Sequence, residues 1–219
     1  MPGQKRSEEQ RQEDILRASY DVAARRGLSA LSLRAVAERA KVSHGTVLFH
    51  FRRREQLITT LLDRVLYATT TLRIPYEIDR LTRPVDKMSA LLRYEMERLA
   101  NEARHFRLFL EYWTLGVRSA PIRSKLKTAL SGYRTAWFDL SQRVLFSAAT
   151  PPSEKGRATG ADGLAAVAVS LVHGCALQAV LDSTRFDIQR HFDAAAQMLH
   201  AVVSIPAART EALAGAVQT

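Results

Sequence analysis

A chain of 219 residues, 47% of them hydrophobic and with only 10 Gly and 7 Pro, can build one or two domains with a real core, which excludes a disordered or collagen-like polypeptide. Its 32 Lys and Arg against 22 Asp and Glu give a net charge of +10, which favours a polyanion or an anionic membrane surface as partner. The single cysteine, Cys175, excludes an internal disulfide, and its apolar neighbours suit a buried thiol.

Residues Met1 to Gln12 are polar, with no secretory leader, so a cytoplasmic protein is expected. Residues 1–8 read as a charged arm. A first helix is predicted over Ser7–Arg26, with Ile15, Ser19 and Val22 on one stripe, and Gly27 ends it. Ser32 offers an N-cap for a short helix whose inner face is Leu33, Val36, Ala37 and Ala40. Lys41-Val42 makes a turn, and Ser43 caps the next helix, His44 to about His50. A longer helix, Arg53 to about Leu72, carries the stripe Leu57, Ile58, Leu61, Leu62, Val65 and Leu66.

Pro75 and Pro84 bracket an irregular linker, Ile74–Arg83. Further helices are predicted near 84–100, 103–117, 121–147, 161–182 and 187–203, with a loop over Ala148–Ala161. Spacings of three and four recur throughout, and alternating strand patterns do not. The fold class is therefore all-α: an N-terminal three-helix unit followed by a helical bundle, about nine helices in total. The expected division is an N-terminal domain at 1–56, a larger helical domain at 57–206, and a disordered tail at 207–219. Leu164–Leu181 carries no formal charge and approaches the length of a membrane span. Its Ser170, His173, Gly174 and Gln178, and the lack of an aromatic belt, argue for a helix buried in a bundle, with no membrane partner.

The two short helices joined by a tight turn form a helix-turn-helix pattern, Ser32 to Phe51. The second helix of such a pair enters the major groove, so its N-terminal residues and outer face read the bases. Those are Ser43, His44, Gly45, Thr46, Phe49 and His50, while Val47 and Phe51 point inward. Arg52, Arg53 and Arg54 follow at once, and with Arg34 they are candidate phosphate anchors. Residues 1–56 hold 12 Lys and Arg against 7 Asp and Glu, half the chain's excess in a quarter of its length.

The stretch Leu31–Leu57 resembles the DNA-binding signature of the tetracycline-repressor (TetR) family. The resemblance rests on Ser32, Val36-Ala37, Ala40, Val42-Ser43, Gly45-Thr46-Val47, Phe49-His50-Phe51 and Arg54-Glu55-Gln56-Leu57. It implies a homodimer on a palindromic double-stranded operator, a fourth connecting helix, and a C-terminal bundle that binds a small-molecule effector. Three positions depart from the pattern. Leu48 stands where the family commonly has Tyr. Lys41-Val42 supplies no turn glycine. Arg53 occupies a capping slot usually filled by Ser or Asn, a loss of about 1 kcal/mol.

In the bundle, Met88, Leu92, Glu95 and Met96 recur on one helix, Phe109 and Trp113 on the next, and Tyr133 and Trp137 on a third. The family resemblance implies an effector pocket here, lined by these residues and His173. Val169–Phe186 resembles the second-last helix of the choline-responsive BetI-type subgroup, through Gly174, Ala176, Leu177 and Gln178; choline itself is not carried over. The expected isologous dimer contact uses Leu171, Gly174, Cys175 and Gln178 with Phe192, Ala195, Ala196 and Leu199. The six histidines show no metal-ligand spacing, and no Gly-rich phosphate loop or nucleophile elbow is present, so neither metal, cofactor nor catalysis is expected. The competing reading is an all-helical lipid- or ligand-binding protein or enzyme without operator preference.

Overall fold

Local capping signals open the chain's first helices, and the caps at Ser32 and Ser43 work as the sequence predicts. The computed structural model describes residues 7–147 and 154–204. Helix α1, Glu8–Arg26, starts at a reciprocal box in which Ser7 Oγ accepts the Gln10 N–H and Gln10 Oε1 accepts the Ser7 N–H. It ends at Gly27, whose φ of 81° is left-handed territory that a side chain would strain. A 3₁₀ turn, Leu28–Ala30, leads to α2, Leu33–Ala40, and then α3, His44–His50. Ser32 Oγ accepts the Ala35 N–H, and Ser43 Oγ accepts the Thr46 N–H.

The remaining elements are α4 (Arg54–Thr70), α5 (Tyr76–Asp79), α6 (Pro84–Asn101), α7 (Ala103–Arg118), α8 (Ala120–Phe146), α9 (Glu154–Leu181) and α10 (Ile188–Ser204). All are helical, so the all-α class holds, with nine helices of seven residues or more among the described residues. Two boundaries differ from expectation. The linker Ile74–Arg83 contains one helical turn, α5, pinned where Lys87 Nζ donates to the Asp79 carbonyl and carboxylate at 3.0 and 2.6 Å. The loop expected over Ala148–Ala161 is helical from Glu154 onward, because Glu, Lys, Arg and Ala outweigh two glycines once the segment continues a long buried helix. The arm at 1–6 and the tail at 207–219 lie outside the described residues.

The chain forms two compact units, each assembled from two stretches of sequence. Unit 1 comprises residues 1–70 and 104–129. Its core joins Ile15, Val22 and Ala23 of α1, Leu31, Val36, Val47 and Phe51 of the two short helices, and Leu57, Leu61, Leu62 and Val65 of α4. Helix α7 belongs to this unit by specific bonds. Tyr112 OH donates to the Ile58 carbonyl at 2.8 Å, and Glu111 accepts the Leu28 N–H at 2.6 Å. His105 Nε2 lies 3.1 Å from the Val65 carbonyl, which only accepts, so Nε2 donates there and Nδ1 faces the Tyr20 hydroxyl at 3.3 Å. Ion pairs Arg39–Asp21, Arg64–Glu13 and Lys125–Asp63 add surface links.

Unit 2 comprises residues 71–103 and 130–219. Helix α6 packs on α9 and α10. Gly160–Leu181 of α9 is long and apolar enough to span a bilayer, but Ala161, Ala165, Ala168, Val172, Cys175 and Ala176 face the unit's interior.

Candidate functional site

Helix α3 is held by its inner side and offers its outer side. Val47 is fully buried and Phe51 nearly so, which anchors the helix on the core of unit 1. Phe49 is 71% exposed, an unusual position for a large aromatic side chain, and Leu48 beside it is 38% exposed. His44 and Gly45 are exposed, and the His50 ring lies edge-on to Phe49 at 5.1 Å. A methyl group added at Gly45 would meet only Ser43 Oγ, at 3.7 Å. Packing within the protein therefore does not demand glycine there. The Thr46 hydroxyl hydrogen-bonds to Ser43 Oγ at 2.8 Å, so this expected reader is oriented by the cap.

The turn before α3 solves its missing glycine with a strained lysine. Lys41 has φ 55° and ψ 45°, the left-handed conformation. Its N–H donates to the Glu38 carbonyl and the Val42 N–H to the Ala37 carbonyl, at 3.2 and 3.0 Å. These two bonds close a Schellman motif, in which glycine is the usual occupant of the Lys41 position.

Four arginines were expected to anchor phosphates. Arg34, Arg52 and Arg53 are exposed. Arg54 is different. Its Nε donates to the Leu31 carbonyl at 2.6 Å and its Nη2 to the Leu28 carbonyl at 2.8 Å, so part of its guanidinium fastens the turn before α2 to α4. The capping slot at Arg53 is partly compensated, because Gln56 Oε1 reaches back to accept the Arg52 N–H at 3.0 Å.

Charge is divided sharply. Unit 1 holds 19 Lys and Arg against 9 Asp and Glu, and unit 2 holds 13 of each. The whole excess of +10 therefore resides in the unit that carries α3. Half of it comes from Arg104–Ala129, where Arg104, Arg107, Arg118, Arg123, Lys125 and Lys127 face one acid, Glu111. Sequence reading missed this second basic stretch, because only the fold assigns it to unit 1.

The residues expected to line an effector pocket fall in both units. Phe109 is buried in unit 1, and Trp113 is half-exposed there. In unit 2, Met88 and Leu92 line an apolar cavity of about 60 Å³ with Leu164, Ala168, Leu171 and Leu199. Glu95, Tyr133, Trp137 and His173 form a separate polar cluster, and Met96 is buried on the same helix as Glu95. Glu95 is fully buried and accepts from Tyr133 OH at 2.6 Å and from Arg98 Nε and Nη2 at 2.9 and 2.7 Å. His173 stacks on Tyr133 at 5.8 Å. Burial, with Arg98 adding repulsion, pushes the His173 pKa down to about 4, so the ring is neutral at pH 7. Burial and the Glu95 charge hold the Tyr133 hydroxyl protonated.

Of the expected dimer residues, Cys175, Ala195 and Leu199 are in the interior of unit 2, and burial raises the Cys175 pKa to about 11. Leu171, Gly174, Phe192 and Ala196 are half-buried, and Gln178 is exposed. From Leu164 to Leu181 apolar residues lie on nearly every side of α9, so spacing alone did not choose its outer face. That face carries Val167, Ser170, Leu177 and Leu181, and α10 adds Met198.

Residues 15–61 match the family model of bacterial regulatory proteins, tetR family. An HTH-type transcriptional repressor of Mycobacterium tuberculosis (strain H37Rv) is 45% identical over 51 residues, 23% of this chain. The matched segment spans only 27% of that relative's length. A transcriptional regulator of Rhodococcus sp. superposes with TM-score 0.64 at 22% identity, covering 88% of this chain and 95% of that one. The multidrug binding protein EbrR, solved with imidazole, gives TM-score 0.60 at 23% identity, covering 92% and 93%. These two likenesses concern the fold. With α3 capped, anchored and open on its outer side, the likeness to bacterial regulatory proteins of the tetR family rests on residues 15–61, the segment that carries the helix-turn-helix.

Proposed function

We propose that this chain is a DNA-binding transcriptional regulator that acts as a homodimeric repressor on a palindromic operator. The observation that carries this reading is α3, with Phe49 exposed and Gly45 left open, on the unit that holds the entire +10. Thr46, Phe49 and His50 read base edges, with Ser43, His44 and Gly45 at the groove floor. Arg34, Arg52 and Arg53 contact phosphates, and Arg54 divides its donors between backbone carbonyls and DNA. Residues 1–56 act as the DNA-binding part and 57–206 as the effector and dimerisation part. Two α3 helices about 34–36 Å apart meet successive turns of the major groove.

The dimer forms through the outer faces of α9 and α10, whose exposed Leu177, Leu181 and Met198 otherwise lie in water. The effector is a small molecule bound in unit 2 near Glu95, Tyr133, Trp137 and His173, in keeping with the imidazole-bound EbrR as a neighbour in fold. Release requires that the effector favour the state with lower operator affinity. A DNA partner sets the chain in the cytoplasm.

Fluorescence anisotropy on the palindrome nearest the chain's own gene tests this. Binding is expected to prefer that site over random duplex and to weaken steeply with salt. Equal affinity for any duplex at physiological salt sinks the reading.

A further inference from the structure

We propose that unit 1 carries a ligand cleft of its own, built for a small amphipathic organic anion. The cleft measures about 740 Å³ and opens between the Leu28 turn, the first turns of α4, and the α7–α8 junction. That is the size of small-molecule sites generally. Leu28, Ile58 and Ile122 form an apolar floor, continued by Leu115. Covering this floor removes apolar surface from water, so the occupant carries a hydrophobic body.

The charges lining the cleft decide the occupant's other end. Arg54, Glu55, Glu111 and Arg118 are present. Glu111 accepts the Leu28 N–H, and Arg54 spends Nε and Nη2 on the Leu31 and Leu28 carbonyls. Glu55 lies exposed in the first turn of α4, where the helix dipole offsets part of its charge. Arg118 is exposed at the mouth. The whole unit is net positive, and Arg123 and Lys127 follow on the next turns. A cleft with low-dielectric walls in such a field concentrates anions.

This site is separate from the polar cluster of unit 2 and does not depend on the DNA-binding reading. It borders both groups that fix the Leu28 turn ahead of α2. An occupant that binds only the folded unit stabilises it by mass action.

The probe is anilinonaphthalene sulfonate, an aromatic body with one anionic group, titrated into the full chain and followed by fluorescence. Phenylnaphthylamine is its neutral counterpart. Thr114→Trp fills the cleft from an exposed position of α7, and Arg118→Glu reverses the charge at the mouth; circular dichroism checks that both fold. A saturable site is expected, lost in Thr114→Trp, with Kd raised about tenfold in Arg118→Glu. The neutral probe is expected to bind more weakly. Sulfonate binding unchanged by both substitutions overturns the cleft. Loss in Thr114→Trp with no change in Arg118→Glu, or equal binding of the neutral probe, overturns the anionic class.

Discussion

The Arg54 guanidinium donates from Nε to the Leu31 carbonyl at 2.6 Å, tying the start of α4 to the residue before the Ser32 cap. A second bond reaches Leu28. Arg54→Ala removes the side-chain donor to the Leu31 carbonyl and one of two donors to the Leu28 carbonyl, which keeps the Leu31 N–H, and is expected to cost about 1–3 kcal/mol of stability. Arg52→Ala and Arg53→Ala, both exposed, are expected to leave stability nearly unchanged and to reduce the salt slope of DNA binding by about one unit each. Urea unfolding and a salt titration of affinity separate the two classes. Equal stability losses for all three variants would contradict this division.

Gly45 tests whether α3 faces DNA closely. An added methyl group meets nothing nearer than 3.7 Å within the protein, and alanine favours a helix. Gly45→Ala is therefore expected to keep or raise the thermal midpoint while weakening operator binding. Unchanged affinity would show that the DNA backbone or base edges do not approach this position.

Lys41 carries a left-handed conformation that costs an ordinary residue about 1–2 kcal/mol. Glycine avoids that cost but loses more chain entropy on folding, about 0.5–1 kcal/mol. Lys41→Gly is expected to raise the urea midpoint modestly. A lower midpoint would mean that the lysine side chain holds the turn in some other way.

His173 links stability to pH. Its pKa of about 4 in the folded chain lies below the ordinary histidine value near 6.5, so the unfolded chain binds the proton more readily. The neutral ring's contribution is complete above pH 6.5 and is lost progressively as pH falls toward 4. His173→Phe is expected to flatten the stability profile across that window, as urea midpoints at stepped pH would register. An unchanged slope would assign the acid lability to other groups.

The dimer contact is tested on the outer faces. Leu177→Glu and Met198→Glu place charge on exposed apolar positions and are expected to give monomers by analytical ultracentrifugation, with the helical signal retained. Cys175→Ser acts in the interior of unit 2 and is expected to change stability rather than assembly. Assembly lost in Cys175→Ser but retained in the two Glu variants would reverse this assignment.

Sequence by itself determined whatever is local. Ser32 and Ser43 announce their helices because a cap needs one hydroxyl and a nearby N–H. Val47 and Phe51 turn inward and Phe49 outward because a helix repeats every 3.6 residues. Spacing and family resemblance together located the helix-turn-helix on these grounds.

Tertiary structure decided what depends on distant segments. Nothing near Arg54 in sequence reveals that its donors meet Leu28 and Leu31, and nothing near Arg104–Ala129 reveals that it completes the basic unit. The outer side of α9 was likewise undetermined, since apolar residues surround most of Leu164–Leu181 and only packing against α6 shows which residues remain in water. Periodicity and capping are properties of a few consecutive residues, whereas burial, charge distribution and bond partners are set by which segments meet.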